Sequence, residues 1–237
     1  MKNGNGSNGA QLPVIAFEGQ ILETVKGSAV TIITAETGAG KSTQVPQFLA
    51  NAGYRVVVTQ PRRLAARALA QRVAQEMGSR LGDRVGFRTA EERSDSAATE
   101  VLFVTDGLQL VRELAGHGGT GRKTVLVLDE VHEWNMNVEV LIAWVKSRIS
   151  AGDDLRCVLM SATLDADRLA SYYSGAPVIS VPGRLFPVEK KSAAARDLVA
   201  EAVSLAKQGR NVLVFQPGKR EIADTVGQIE RELGEKA

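Results

Sequence analysis

Eight consecutive residues, Ala35-Glu36-Thr37-Gly38-Ala39-Gly40-Lys41-Ser42, combine backbone freedom, an ammonium group and hydroxyls in an order that suits a polyphosphate. Glycines at 38 and 40 let the chain curl so that successive N–H groups face phosphate oxygens. A helix opening at Lys41 would add its positive dipole end. Lys41 is then placed to reach the β- and γ-phosphates of a nucleotide such as ATP, and the Ser42 hydroxyl to ligate Mg2+. Thr37, Gly38, Ala39, Gly40 and Thr43 complete the expected nucleotide-binding set. A glycine-rich turn with no ligand is the other reading of such a stretch. The apolar run Val30–Thr34 before it and the helical spacing after it supply the strand–loop–helix context that a phosphate loop needs.

A phosphoryl-transfer site also needs a carboxylate for the metal and a group to orient water. Val125-Leu126-Val127-Leu128-Asp129-Glu130 reads as a buried strand ending in two acids. Asp129 would hold Mg2+ and Glu130 would orient and polarise the attacking water. An acid pair after a strand can equally be a helix N-cap with a favourable first-turn charge; the loop at Lys41 favours the catalytic reading. Between Arg55 and Arg93 stand nine arginines, no lysine and four acids (Glu76, Asp83, Glu91, Glu92). Arginine suits bidentate phosphate contacts, but charge alone also allows a solvated helix face.

The elements that must position these groups are legible as an alternation. Val30–Thr34, Arg55–Gln60, Glu100–Thr105, Thr124–Asp129, Arg156–Ser161 and Val178–Val181 read as buried strands, rich in Val, Ile and Leu. Lys41–Asn51, Leu64–Met77, Gly107–Ala115, Val138–Ser150 and Ala166–Tyr173 have helical spacing. That order predicts an α/β fold, a parallel sheet with helices on both faces and its ligand at the carboxyl ends of the strands. A boundary is expected after Val181-Pro182-Gly183-Arg184. Beyond it come a helix at Ala193–Gln208, a strand at Asn211–Gln216 and a helix at Lys219–Leu233, too few elements to close a sheet. Residues 1–12, rich in Asn, Gly and Ser, read as a flexible tail, 13–185 as the first domain, and 186–237 as a linker and the start of a second. The one cysteine, Cys157, sits in an apolar run, which excludes a disulfide framework and points to a reducing compartment, the cytoplasm. No apolar run approaches the roughly 18 residues of a membrane span.

Asp129-Glu130-Val131-His132 is a DExH box, and with the blocks around it the chain resembles the DEAH-box RNA helicases. Thr59-Gln60-Pro61-Arg62-Arg63 is similar to that family's motif Ia, Thr105-Asp106-Gly107-Leu108 to motif Ib, and Ser161-Ala162-Thr163 to motif III. Val181–Arg184 with Phe186-Pro187-Val188 resembles the interlobe segment. Leu213–Gly218 with Glu221-Ile222 resembles the opening of the second lobe. The resemblance implies a P-loop NTPase of RecA-like fold, powered by ATP with Mg2+ and tolerant of other NTPs. It also implies a single-stranded RNA or DNA backbone as partner, RNA favoured, and possible activator proteins. It places Arg62, Arg63 and Thr105 near the nucleic acid and stacks Arg72 on the nucleotide base. It joins His132 to a glutamine of the second lobe, and assigns Ser161 and Thr163 to coupling hydrolysis to lobe movement.

Three positions depart from the family pattern: Ala35 at the first position of the phosphate loop, a substitution similar to that in helicase-type loops; Val131 for alanine; and Trp134 for arginine. Trp134 reads either as a packing residue or as a changed contact to the second lobe, whereas Trp144 falls on an apolar helix face. The family's late arginine motif, which reaches the γ-phosphate and is worth about a thousandfold or more, is expected beyond Ala237. Two readings therefore stand. One is the ATP-binding lobe of a helicase. The other is a nucleotide- and RNA-binding module with no turnover of its own.

Overall fold

The computed structural model describes residues 11–118, 123–162, 166–183 and 197–234. They fall into two compact units, one up to residue 185 and one from residue 186 onward. In the first, a 3-10 turn (Pro13–Phe17) leads through α1 (Glu18–Gly27), β1 (Val30–Ala35), α2 (Lys41–Asn51), β2 (Arg55–Gln60) and α3 (Arg63–Glu76) to the strands β3 (Val85–Arg88) and β4 (Arg93–Ser94). There follow β5 (Val101–Thr105), α4 (Asp106–Leu114), β6 (Thr124–Leu128), α5 (Met136–Ser150), β7 (Arg156–Ser161), α6 (Ala166–Tyr172) and β8 (Val178–Val181).

The eight strands form one sheet in the order β4-β3-β5-β2-β6-β7-β1-β8. Every pairing is parallel except β3 with β4. The expected alternation of strands and helices is therefore realised as a parallel sheet, and alternate residues of each strand feed opposite cores. On one face Ile33, Val56, Val58, Phe103, Val127 and Met160 meet α1, α2 and α3 through residues such as Ile21, Leu49 and Val73. On the other, Ile32, Val57, Leu126, Leu128 and Leu159 meet α5 and α6 through Leu141, Val145 and Leu169. Each such side chain, fully buried, stabilises the fold by about 1.5–3 kcal/mol. Cys157 belongs to the second cluster, and burial pushes its thiol well above the usual range, leaving it unreactive.

The pair β3–β4 and the helix α1 go beyond the sequence expectation. Val85-Gly86-Phe87-Arg88 is short and interrupted by glycine. A Cβ on Gly86 would stand 2.5 Å from the Ser94 carbonyl oxygen, so glycine is what lets this ribbon close. The second unit holds α7 (Leu198–Lys207), capped by the Asp197 carboxylate, and α8 (Lys219–Leu233). Ala193–Arg196 of the expected first helix lie outside the described residues. Asn211–Gln216, expected as a strand, form none: no strand of this unit lies beside them among the described residues, and Leu213 and Phe215 are 78% and 86% exposed. A strand without a neighbour has no ladder to stabilise it.

Candidate nucleotide site

The loop from Glu36 to Gly40 joins the carboxyl end of β1 to the first turn of α2. Gly38 and Gly40 take φ of 85° and 91°, the left-handed region that a side chain disfavours, and Gly40 is the N-cap of α2. Because Gly40 has no side chain to cap the helix, the Lys41 and Ser42 N–H groups stay open to a ligand, while the Thr43 N–H turns to the Gly40 carbonyl at 3.3 Å. The loop is braced from beneath: Val14 N–H donates to the Ala39 carbonyl at 3.1 Å, and Leu12 lies against Gly40 so closely that a Cβ there would stand 2.9 Å from Leu12 Cδ1. Thr37 and Gly38 face solvent, Ala39 is buried, and Thr43 turns its hydroxyl back to the Gly40 carbonyl at 3.3 Å.

Asp129 and Glu130 leave the end of β6 beside this loop. The Lys41 ammonium, itself buried, lies 3.9 Å from Glu130 Oε1. The Ser42 hydroxyl hydrogen-bonds the Asp129 carboxyl, and Gln60 Nε2 donates to Asp129 Oδ2 at 2.5 Å. Burial and then the neighbouring Glu130 charge push the Asp129 carboxyl up to about 6, against the opposing pull of Ser42, Lys41 and Gln60. Glu130 itself sits at φ 56°, unusual for a residue with a Cβ, and its N–H is held by Asp129 Oδ1 at 2.9 Å. Val131 is wholly buried, and its N–H donates to the Met160 carbonyl, so the larger side chain at this position packs into the core.

His132 stands across the site, between Glu130 and the end of β7. Its Nδ1 lies 3.3 Å from Ser161 Oγ and accepts from the Ala162 N–H at 3.4 Å, which places the ring proton on Nε2. Nε2 is 3.3 Å from Glu130 Oε2. The two oxygens of Glu130 are thus shared between Lys41 and His132. Thr163 lies outside the described residues. A buried carboxylate bonded to a hydroxyl, with an ammonium alongside, is a donor set of hard oxygens and positive charge that fits Mg2+ carrying a phosphate chain.

The arginines lie around this centre, turned to carboxylates. Arg62, at the N-cap of α3, is paired with Glu133 at 3.0 Å; Arg63 is paired with Glu91, and Arg67 with Glu92 at 3.1 Å. Arg72 Nε donates to Glu76 at 2.6 Å, and Glu76 also accepts from Gln44 and Gln47 of α2, the helix of the phosphate loop. Burial works against the Glu76 charge, but these hydrogen bonds outweigh it and hold the carboxyl below its usual range. Thr105 ends β5, in register with Gln60 on β2. Gln60 is the site residue that the sequence reading missed. Nothing local marks it beyond a polar side chain closing a buried apolar strand.

Comparison with known proteins agrees with this arrangement. The family described as DEAD/DEAH box helicase matches residues 18–171. The proteins named Probable ATP-dependent RNA helicase DHX34 from Homo sapiens and Mus musculus are each 42% identical over 180 residues, which is 76% of this chain and 16% of each relative. The chain thus spans about a sixth of the length of these relatives. No helix among the described residues is long and apolar enough to cross a membrane. With a family match covering well over half of its residues, centred on the phosphate loop and the DExH box, the chain belongs to the DEAD/DEAH box helicase family.

Proposed function

We propose that this chain is the nucleotide-binding motor lobe of an ATP-dependent RNA helicase, residues 13–185, followed from residue 186 by the start of a second RecA-like lobe. The observation that carries this reading is the Lys41–Glu130 pair at 3.9 Å. The buried ammonium lies beside the Glu130 carboxylate and also acts on Asp129; a triphosphate would take that ammonium and release Glu130 to orient water. Lys41 and the N–H groups of residues 38–43 bind the phosphates, and Ser42 and Asp129 hold Mg2+. A Mg2+ held by these two residues would supply positive charge against the negative charge that develops on the phosphates. Glu130 positions the water, and the His132 Nε2–H fixes the second Glu130 oxygen. Arg72, held by Glu76, stacks on the base without reading its edges, so other NTPs serve.

Single-stranded RNA is the polymer this reading favours, on the ground that the relatives carry RNA helicase in their names. Its phosphates meet Arg62, Arg63 and Thr105. Arg62 must exchange Glu133, and Arg63 Glu91, for phosphate, which is cheap because exposed ion pairs are worth about 0–1 kcal/mol. Ser161, through His132, and Thr163 pass the state of the nucleotide to the second lobe. A buried, unpaired thiol suits a reducing compartment such as the cytoplasm.

Among the described residues the arginines nearest the site each face a carboxylate, and Lys41 is the cation placed to offset charge on a γ-phosphoryl group. We therefore expect the 237-residue chain to bind nucleotide but to hydrolyse it feebly, and a chain extended through a full second lobe to show RNA-stimulated turnover. Steady-state phosphate release with and without poly-U tests this, with Glu130→Gln as the blank. Robust stimulated turnover by the 237-residue chain would mean that catalysis is completed elsewhere than proposed.

A further inference from the structure

We infer that Trp134 is a stacking platform for a base of single-stranded nucleic acid, set in the middle of a strip that also carries Arg62 and Thr105. The inference rests on the polymer reading of Arg62, Arg63 and Thr105 given above, and adds to it a base contact.

Trp134 is 53% exposed, and the next residue but one, Met136, is 77% exposed. An indole left half in water forgoes a large burial gain, so its position asks for a partner. Trp144 shows the contrast within the same chain: it packs against the core cluster, with the Arg148 guanidinium 5.9 Å from its ring.

The backbone beneath Trp134 is pinned on both sides. On one side Glu133 N–H donates to the Glu130 carbonyl at 2.8 Å, and the Glu133 carboxylate holds Arg62 at 3.0 Å. On the other, Asn135 Nδ2 donates to Asp106 Oδ2 at 2.8 Å and to the Glu133 carbonyl at 3.3 Å. Its Oδ1 caps α5 by accepting from Asn137 N–H and Val138 N–H. These bonds gather the N-termini of α3, α4 and α5 into one strip, running from Arg62 through Trp134 and Asn135 to Asp106 and Thr105.

Two features favour nucleic acid as the occupant. The N-terminus of α3, beside Arg62, has no side-chain cap, and its partial positive charge attracts phosphate. An exposed aromatic face on a pinned backbone beside such a track suits sequence-tolerant binding of a single strand, in which each stacked base is worth about 1–3 kcal/mol.

The test uses the 237-residue chain with Trp144→Phe, so that Trp134 is the sole indole. It is titrated with a 12-nucleotide oligouridylate and with an abasic oligomer of the same charge. Oligouridylate is expected to quench the Trp134 emission and the abasic oligomer to leave it nearly unchanged. Trp134→Ala is expected to weaken oligouridylate binding about 5- to 150-fold while the abasic oligomer binds as before, and Trp134→Phe to recover most of the loss. The thermal midpoint of each variant checks the fold. If Trp134→Ala leaves oligouridylate affinity unchanged while Arg62→Ala with Arg63→Ala lowers it, stacking is wrong and the polymer reading stands. If the arginine variant also binds unchanged, or the parent chain binds neither oligomer, the polymer reading falls and the inference with it. Equal loss for both oligomers in Trp134→Ala would assign the indole to packing and overturn the inference.

Discussion

Gln60 Nε2 donates to Asp129 Oδ2 at 2.5 Å, joining the carboxyl ends of two neighbouring parallel strands whose partners lie 69 residues apart in the chain. The amide belongs to the block that leads to Arg62, and the carboxylate to the DExH box. Their hydrogen bond links the polymer side and the metal side of the proposed site.

Gln60→Leu should therefore act on metal and nucleotide together. Gln60 helps hold the Asp129 proton affinity down, so its loss pushes the carboxyl further up and leaves less carboxylate for Mg2+ at neutral pH. A buried hydrogen bond to a charged group contributes about 1.5–3 kcal/mol, and a loss of Mg2+-nucleotide affinity of about tenfold or more is expected. Titration of a fluorescent ATP analogue at fixed Mg2+ checks it. Unchanged affinity would show that Gln60 is only a packing residue.

The pH dependence of the metal-free chain has a definite sign. Asp129 is pushed up to about 6 in the folded chain from the ordinary 3.8. Between about pH 4 and pH 6 the folded chain keeps a proton that the unfolded chain has released, so this group makes stability fall as pH rises, with no further fall above that window. Asp129→Asn removes the effect. Its stability relative to the parent should grow by on the order of 3 kcal/mol from pH 4 to pH 7, at about 1.4 kcal/mol per pH unit. Urea unfolding in the presence of a chelator measures the difference, and parallel pH curves for the two chains would contradict the assignment.

Arg72→Ala should weaken ATP, GTP, CTP and UTP alike. With its Nε given to Glu76, the guanidinium presents a face rather than a pattern of donors matched to one base edge. A partly exposed contact of this kind contributes about 0.5–1 kcal/mol, so each nucleotide should lose about two- to fivefold in affinity. Competition titrations that show a strong base preference, or a loss confined to one nucleotide, would refute stacking.

Asn135→Ala should cost stability twice over, through the N-cap of α5 and through the buried Asp106 carboxylate that loses its amide donor. A cap contributes about 0.5–2 kcal/mol and an orphaned buried acceptor costs about 1–3 kcal/mol, so a drop of about 2–4 kcal/mol in urea unfolding is expected. Asn135→Ser keeps a capping hydroxyl, loses the amide donor to Asp106, and should fall between. A full recovery by serine would mean that the Asp106 contact contributes nothing.

What the sequence made legible is what is local in it. The phosphate loop needs two glycines, a lysine and a serine within one turn of chain, and the strand before Asp129 is an unbroken apolar run; both lie where expected. The helix over Leu64–Met77 is displaced by one residue, and the one over Val138–Ser150 starts two residues earlier because Asn135 provides the cap. The contacts that depend on sheet order were not legible. Gln60 meets Asp129, and Arg62 meets Glu133, only because β2 lies between β5 and β6, an order that no run of residues encodes. Val85–Arg88 escaped because glycine and arginine dilute its apolar pattern, and the strand expected at Asn211–Gln216 was an apolar pattern without a neighbour.

Both margins of the sheet are short. β4 has two residues and runs against its neighbour, and β8 has four, of which Val178 and Ser180 face outward. Long, flat margins invite a foreign strand and seed aggregates. Here the backbone groups that could recruit one number only a few on either side, and the long apolar strands β2, β6, β7 and β1 lie inside the sheet with neighbours on both flanks. A domain arranged in this way offers a foreign strand little to pair with, so its own sheet is a poor template for self-association.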